Sequence, residues 1–158
     1  MNSQSQYKLI IVGSGGVGKT TLVKQLITKR FEQKYVPTLG VEVHPFNYNN
    51  MDFNIWDCSG NENYSGLGEG YYVKANCAII LCDNDSFIDI VSYYKKIRRM
   101  CGNIPIVLYT NIRNYDPKIN RLSTRGKYNE DIHVMCYNIS LAENVNTLAG
   151  FKWFGKVM

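Results

Sequence analysis

Apolar residues come in short runs separated by polar, glycine-containing stretches: Tyr7 to Val12, Val41 to Tyr48, Phe53 to Asp57, Cys77 to Cys82, Ile104 to Tyr109 and Ile132 to Tyr137. Runs of that length, bounded by turn formers, predict six strands. Between them the apolar period lengthens to three or four residues. That predicts helices over Lys19 to Lys29, a short one near Tyr64 to Lys74, then Phe87 to Met100 and Val145 to Val157. In the third helix Phe87, Ile90, Val91, Tyr94 and Ile97 mark one buried stripe, with Ser86 as the expected N-cap and Gly102 as the expected stop. Asn49 and Asn50 lie between the second and third runs and signal a hairpin, which makes the second strand antiparallel in an otherwise parallel sheet. Strands alternating with helices predict an α/β fold, a three-layer sandwich around a six-stranded mixed sheet, with ligand loops at the carboxyl ends of the strands.

A chain of 158 residues, 45% hydrophobic, supports one domain with one core. The polar stretch Met1 to Gln6 is expected to be a disordered tail, leaving 7–158 as the domain. Eighteen Lys and Arg against 13 Asp and Glu give a net charge of +5. Much of the excess is local: Lys95, Lys96, Arg98, Arg99, Arg113, Lys118, Arg121, Arg125 and Lys127 have only Asp116 among them as an acid. A solvated helix face and loop is the simple reading, and a docking face for an acidic protein the sharper one. Cys58, Cys77, Cys82, Cys101 and Cys136 are odd in number and form no CxxC, so reduced thiols are expected rather than a disulfide framework or a zinc site. The N-terminus has no apolar signal segment, no run reaches membrane-spanning length, and the end reads GKVM without a prenylation box. A soluble, unanchored chain is expected.

The sharpest chemistry sits at Gly13 to Thr20, GSGGVGKT, between the first strand and the first helix. Gly13, Ser14, Gly15, Gly16, Val17 and Gly18 form a bend whose backbone N–H groups can converge on a polyphosphate, next to the positive end of the helix dipole. Lys19 then reaches the β- and γ-phosphates, Thr20 offers a hydroxyl to Mg2+, and Thr21, next in the first helical turn, is expected among the nucleotide-binding residues.

A P-loop alone leaves kinases, ATPases and GTPases open. Asp57, Cys58, Ser59 and Gly60 read DxxG at the end of the third strand, where the aspartate can hold a Mg2+-bound water and the glycine N–H can meet the γ-phosphate. DxxG is weak by itself; its value comes from lying one hairpin after the P-loop helix. Thr38, in the intervening loop, can close the remaining side of the Mg2+ and γ-phosphate only when a triphosphate is present, which makes a switch.

With these motifs the chain resembles the small GTPases, and among them the Ran family. FEQKYVPTLGVEVHPF, from Phe31 to Phe46, is similar to that family's first switch and second strand. FNIWD at Phe53 to Asp57, GLGEGYYVKANCAII at Gly66 to Ile80 and NIPIVL at Asn103 to Leu108 continue the likeness. The resemblance implies that Phe31 flanks the base, Thr20 and Thr38 bind Mg2+ with Asp57, and Gly60 senses the γ-phosphate. It also implies GTP and GDP as ligands, importin- and exportin-like transport receptors, an exchange factor and a GTPase-activating protein as partners, and residence in nucleus and cytoplasm as a monomer without direct nucleic-acid contact.

Three departures fall on the chemistry. The family's water-orienting glutamine is here Asn61, one methylene shorter, so Lys19 and Thr38 keep their catalytic roles while hydrolysis is expected to be very slow. The base-reading NKxD aligns with Asn111, Ile112, Arg113 and Asn114. An asparagine presents a donor where aspartate accepts twice from guanine, so xanthine becomes a conceivable ligand; a slip of register onto Asp116 is the alternative. The family's SAK loop reads Ser140, Leu141, Ala142, and the C-terminal switch helix and acidic tail have no counterpart before Met158, so partners gripping that tail are not expected to bind.

A nucleotide-controlled switch of Ran type is therefore the first reading, and a non-cycling mimic that occupies transport factors with altered or lost guanine specificity is the alternative. A small-metabolite kinase fits poorly, since no arginine-rich lid is evident. His44, His133, Trp56, Trp153 and Phe154 read as strand or core residues, and Glu62 and Glu69 as solvated.

Overall fold

The chain runs β1 (Gln6–Val12), α1 (Lys19–Thr28), β2 (Val41–Tyr48), β3 (Met51–Cys58), a 3-10 helix (Gly68–Tyr72), β4 (Cys77–Asp83), α2 (Ile90–Cys101), β5 (Ile106–Asn111), β6 (Ser123–Asn129), β7 (Ile132–Ile139) and α3 (Ala149–Val157). This is a computed structural model, and it describes residues 5–32, 36–60, 68–86, 89–118, 123–129 and 132–158. The strands form one sheet in the order β2-β3-β1-β4-β5-β7-β6. The five inner strands are parallel, and the two outer ones, β2 and β6, are antiparallel to their neighbours.

The sequence explains the layering. β4, CAIILCD, is buried along its whole length, as a central strand covered on both faces must be. Alternate residues of each strand feed two cores. Leu9, Ile11, Ile79 and Tyr109 pack with α1 and α3, while Ile10, Ile80 and Leu108 pack with Ile90 and Ile97 of α2. Phe151 locks α3 in place, meeting Phe46 and Phe53 edge-on at 5.0 and 5.3 Å between ring centres. The hydroxyl of Tyr109 donates to the Thr147 carbonyl at 3.0 Å and accepts from the Gly150 N–H at 2.8 Å, which ties the start of α3 to β5; burial pushes its pKa up. Among the described residues no helix is long and apolar enough to cross a membrane.

The six expected strands are all present, and the hairpin turns at Asn49 and Asn50 with φ of 47° and 64°, the left-handed pair that a tight two-residue turn demands. A seventh strand extends the sheet. β6, STRGKYN, has no apolar alternation and pairs along the edge of β7, so Arg125 and Lys127, expected in a solvated loop, are strand residues.

Several boundaries move. β1 takes in Gln6, the last residue of the expected tail. Ser86 does not cap α2: its Oγ accepts from the Asp83 N–H at 3.0 Å, closing the turn after β4, and the helix begins at Ile90 behind Asp89. Gly102 ends it, at φ 72°. α3 starts at Ala149, not Val145, because Val145 bridges to Ser140, and Asn144 and Asn146 hold positive φ that a helix excludes. Of the short helix near Tyr64 to Lys74, Gly68–Tyr72 is a 3-10 turn, and Tyr64 and Phe87 lie outside the described residues.

Candidate functional site

The P-loop leaves β1 between β3 and β4, at the carboxyl end of the sheet. Gly18 caps α1 at φ 109°, where a side chain would be strained and would also collide with Leu141 Cδ1 at 2.7 Å. No side chain caps α1, so its first N–H groups remain available to an anion. Val17 is buried in the core, whereas Gly15 and Gly16 are exposed and Ser14 and Thr21 half-buried. Lys19 is buried, its Nζ donating to the carbonyls of Gly13 and Ser14 at 2.8 Å each. Burial lowers its pKa to about 8, against the pull of the Asp57 carboxylate.

Three elements meet beside it. Thr20 Oγ1 lies 2.5 Å from Asp57 Oδ2, to which it donates, and 2.8 Å from Thr38 Oγ1. Asp57 is fully buried, and burial raises its pKa while Thr20 and Lys19 lower it. Its other oxygen, Oδ1, is buried with no hydrogen-bond partner among the described residues. An acidic oxygen left over next to two hydroxyls is a hard-oxygen set of the kind Mg2+ takes, and Thr20, Thr38 and Asp57 are the residues that would hold it.

Gly60 lies against the P-loop so closely that a Cβ there would fall 2.5 Å from Gly13 O, Gly15 N and Lys19 Nζ. Only glycine brings its backbone this near to the phosphate cradle. Ser59 N–H donates to Gly40 O at 2.8 Å, so the loop carrying Thr38 and the DxxG turn are joined directly. Asn61, Glu62 and the residues through 67 lie outside the described residues.

On the base side, Asn111 ends β5 and its Oδ1 accepts from the Leu141 N–H at 3.3 Å. Ile112 is buried, while Arg113 and Asn114 are exposed. Arg113 reaches back to Asp83 Oδ2 at 3.2 Å. These residues line a cleft of about 340 Å³ with Asn84, Asp85 and Asp116, whose Oδ1 accepts from the Lys118 N–H at 2.8 Å. Ser140 is fully buried, its Oγ accepting from the Glu143 N–H at 3.1 Å, and Ala142 is exposed. Phe31 is half-buried against the α1 and α3 core.

Sequence reasoning missed Gln25 and Asp89. Gln25 Nε2 donates to the Leu141 carbonyl at 2.9 Å, and the signal was a glutamine inside the apolar stripe of α1. Asp89 Oδ2 accepts from Ser14 Oγ at 2.5 Å, linking the P-loop to the start of α2; nothing in the local pattern marks it. His44, read as isolated, lies 3.3 Å from Glu42 on the same face of β2. The cysteines are free, and burial pushes Cys58 up to about 12 and Cys82 to about 11.

A P-loop, a buried aspartate and a loop threonine converging on one point of a parallel sheet define a Ras-like nucleotide switch. Residues 8–114 match the family described as Roc, Ras of Complex, Roc, domain of DAPkinase, and the chain belongs to that family of small GTPase domains. The matched span takes in the P-loop, Thr38, DxxG and Asn111 to Asn114. The domain is accordingly a GTP-binding switch.

Proposed function

We propose that the switch is of Ran type: a monomer holding GTP or GDP with Mg2+ that reports the difference to transport receptors in nucleus and cytoplasm, with an exchange factor and a GTPase-activating protein as further partners. The contact of Thr38 with Thr20 supports this reading, because a residue of the segment resembling the Ran family's first switch meets the P-loop hydroxyl expected to face Mg2+. Its neighbours Val36 and Leu39 are 54% and 72% exposed, apolar surface that a nucleotide-dependent partner can cover.

The chemistry assigned to this chain is modest. P-loop amides and Lys19 bind and orient the phosphates, the carboxylate of Asp57 fixes the Thr20 hydroxyl, and Gly60 approaches the γ-phosphate by its backbone. Bound Mg2+ would neutralise phosphate charge. Asn61 orients water poorly, so the GTP state is long-lived. Purified chain should carry stoichiometric guanine nucleotide and bind an importin-β-type receptor when loaded with a non-hydrolysable GTP analogue, not with GDP. Receptor binding indifferent to the nucleotide would refute the switch. Single-turnover hydrolysis as fast as that of Asn61→Gln would refute the slow clock.

A second reading has its own observation. The Leu141 N–H, in the loop that aligns with the family's SAK, donates to Asn111, and a buried Ile112 stands where the family's NKxD has its lysine. A non-cycling mimic with altered base preference would follow, and it would purify with substoichiometric or non-guanine nucleotide.

A further inference from the structure

We infer that the groove between β7 and α3 is a second binding site, for an acidic peptide segment carrying an apolar anchor residue. The groove encloses about 560 Å³, within the range that takes one or two side chains, and is lined by Tyr48, Met135, Tyr137, Lys152, Trp153 and Lys156 together with the loop before α3. It exists because the sheet outruns its helix. α3 covers the sheet as far as β7, and β6 continues beyond, so Met135 and Tyr137 of β7 are only partly buried beside Trp153. Leu148, at the rim, is 38% exposed.

The walls select the occupant. Lys152 and Lys156 are exposed, one helical turn apart, and neither forms a salt bridge among the described residues. Among the described residues, the groove's lining includes no carboxylate. Along its outer side the β6–β7 ladder sets Arg125 opposite Met135 and Lys127 opposite His133, so the flanking strand is basic in sequence as well. Two ammonium groups on one wall suit two carboxylates of a short peptide, with Trp153 and Tyr137 receiving the apolar residue between them. A nucleic-acid strand would need a cationic track along its whole backbone as well as stacking platforms.

The test starts from random dodecapeptides displayed on phage, selected against the purified chain as isolated. An enriched peptide is then synthesised and titrated against Trp153 emission in a Trp56→Phe background, which leaves Trp153 as the remaining tryptophan. The selected peptides should carry paired Asp or Glu around an aromatic residue or leucine, and should shift Trp153 emission saturably. The double variant Lys152→Glu, Lys156→Glu should bind at least about tenfold more weakly, while its nucleotide affinity stays unchanged. No enrichment, peptides without carboxylates, an emission that does not respond, or undiminished binding to the double variant would overturn the site. Tighter binding of a decameric oligouridylate, or a concentration-dependent dimer that buries Trp153, would replace the peptide with another occupant.

Discussion

The amide nitrogen of Gln25 on α1 donates to the carbonyl of Leu141 at 2.9 Å, while Oε1 of the same side chain is buried without a hydrogen-bond partner among the described residues. Leu141 is held at its other end by Asn111, and its Cδ1 occupies the space over Gly18. One residue therefore pins the P-loop, the first helix and the base-side loop together. Gln25→Ala removes one of the two hydrogen bonds to the Leu141 carbonyl, which keeps the Asn144 N–H at 3.3 Å, and should cost about 0.5–1.5 kcal/mol of stability. Nucleotide release should accelerate by up to roughly 10-fold, since about 1.4 kcal/mol corresponds to a factor of ten. Gln25→Leu should do less damage, because it keeps the buried side-chain volume that alanine gives up, while both variants remove the unpartnered oxygen. Urea unfolding and release of a fluorescent nucleotide measure the two effects; a stability loss without faster release would confine Gln25 to the fold.

Asp57 accepts from Thr20 with one oxygen and keeps the other buried and, among the described residues, unpartnered. Asp57→Asn preserves the shape and removes the charge. Nucleotide affinity in the presence of Mg2+ should fall about 10- to 100-fold, the usual cost of losing a carboxylate that supports a metal position. With EDTA the variant and the parent chain should bind alike. A deficit that persists in EDTA would mean that Asp57 serves the P-loop fold and not the metal.

Legibility in the sequence follows the distance over which each feature is built. The P-loop is local: glycine spacing, Lys19 and Thr20 determine it within eight residues, and its β1 and α1 flanks follow from apolar period. The Asn49–Asn50 turn is local in the same way. β6 was invisible because STRGKYN carries no alternation, its strand conformation coming from pairing with β7. Gln25 and Asp89 were invisible as site residues because their partners lie 116 and 75 residues away. The late start of α3 escaped for a different reason: Val145 fits the helical period but is claimed by a bridge to Ser140.

Lys19 gives the site a pH dependence with a definite sign. Burial has lowered its pKa to about 8, and phosphates beside it would raise that value. The complex then holds the proton more tightly than the free chain, so affinity is full below about pH 8 and falls as pH rises through it, by up to about tenfold per unit. At pH 8.5, calorimetry in two buffers of different ionisation enthalpy should show proton uptake on binding. Lys19→Arg, which does not titrate in this range, should bind more weakly at pH 7 but without the slope. A parent chain with flat affinity from pH 7 to 9.5 would sink the assignment.

Asn114 is exposed at the edge of the cleft after β5, in a loop anchored by Arg113 to Asp83. If it reads the base, its amide offers a donor toward the 2-position, which suits the carbonyl of xanthine and opposes the amine of guanine. Asn114→Asp should then shift the ratio of GTP to XTP affinity toward GTP by about 10- to 100-fold, the worth of one or two buried hydrogen bonds. Competition of the two nucleotides against a fluorescent analogue measures it. Asp116→Asn supplies the contrast. Should Asp116 be the reader, that change would abolish guanine preference while Asn114→Asp left the ratio where it was, and the register of the loop would have to be moved by two residues.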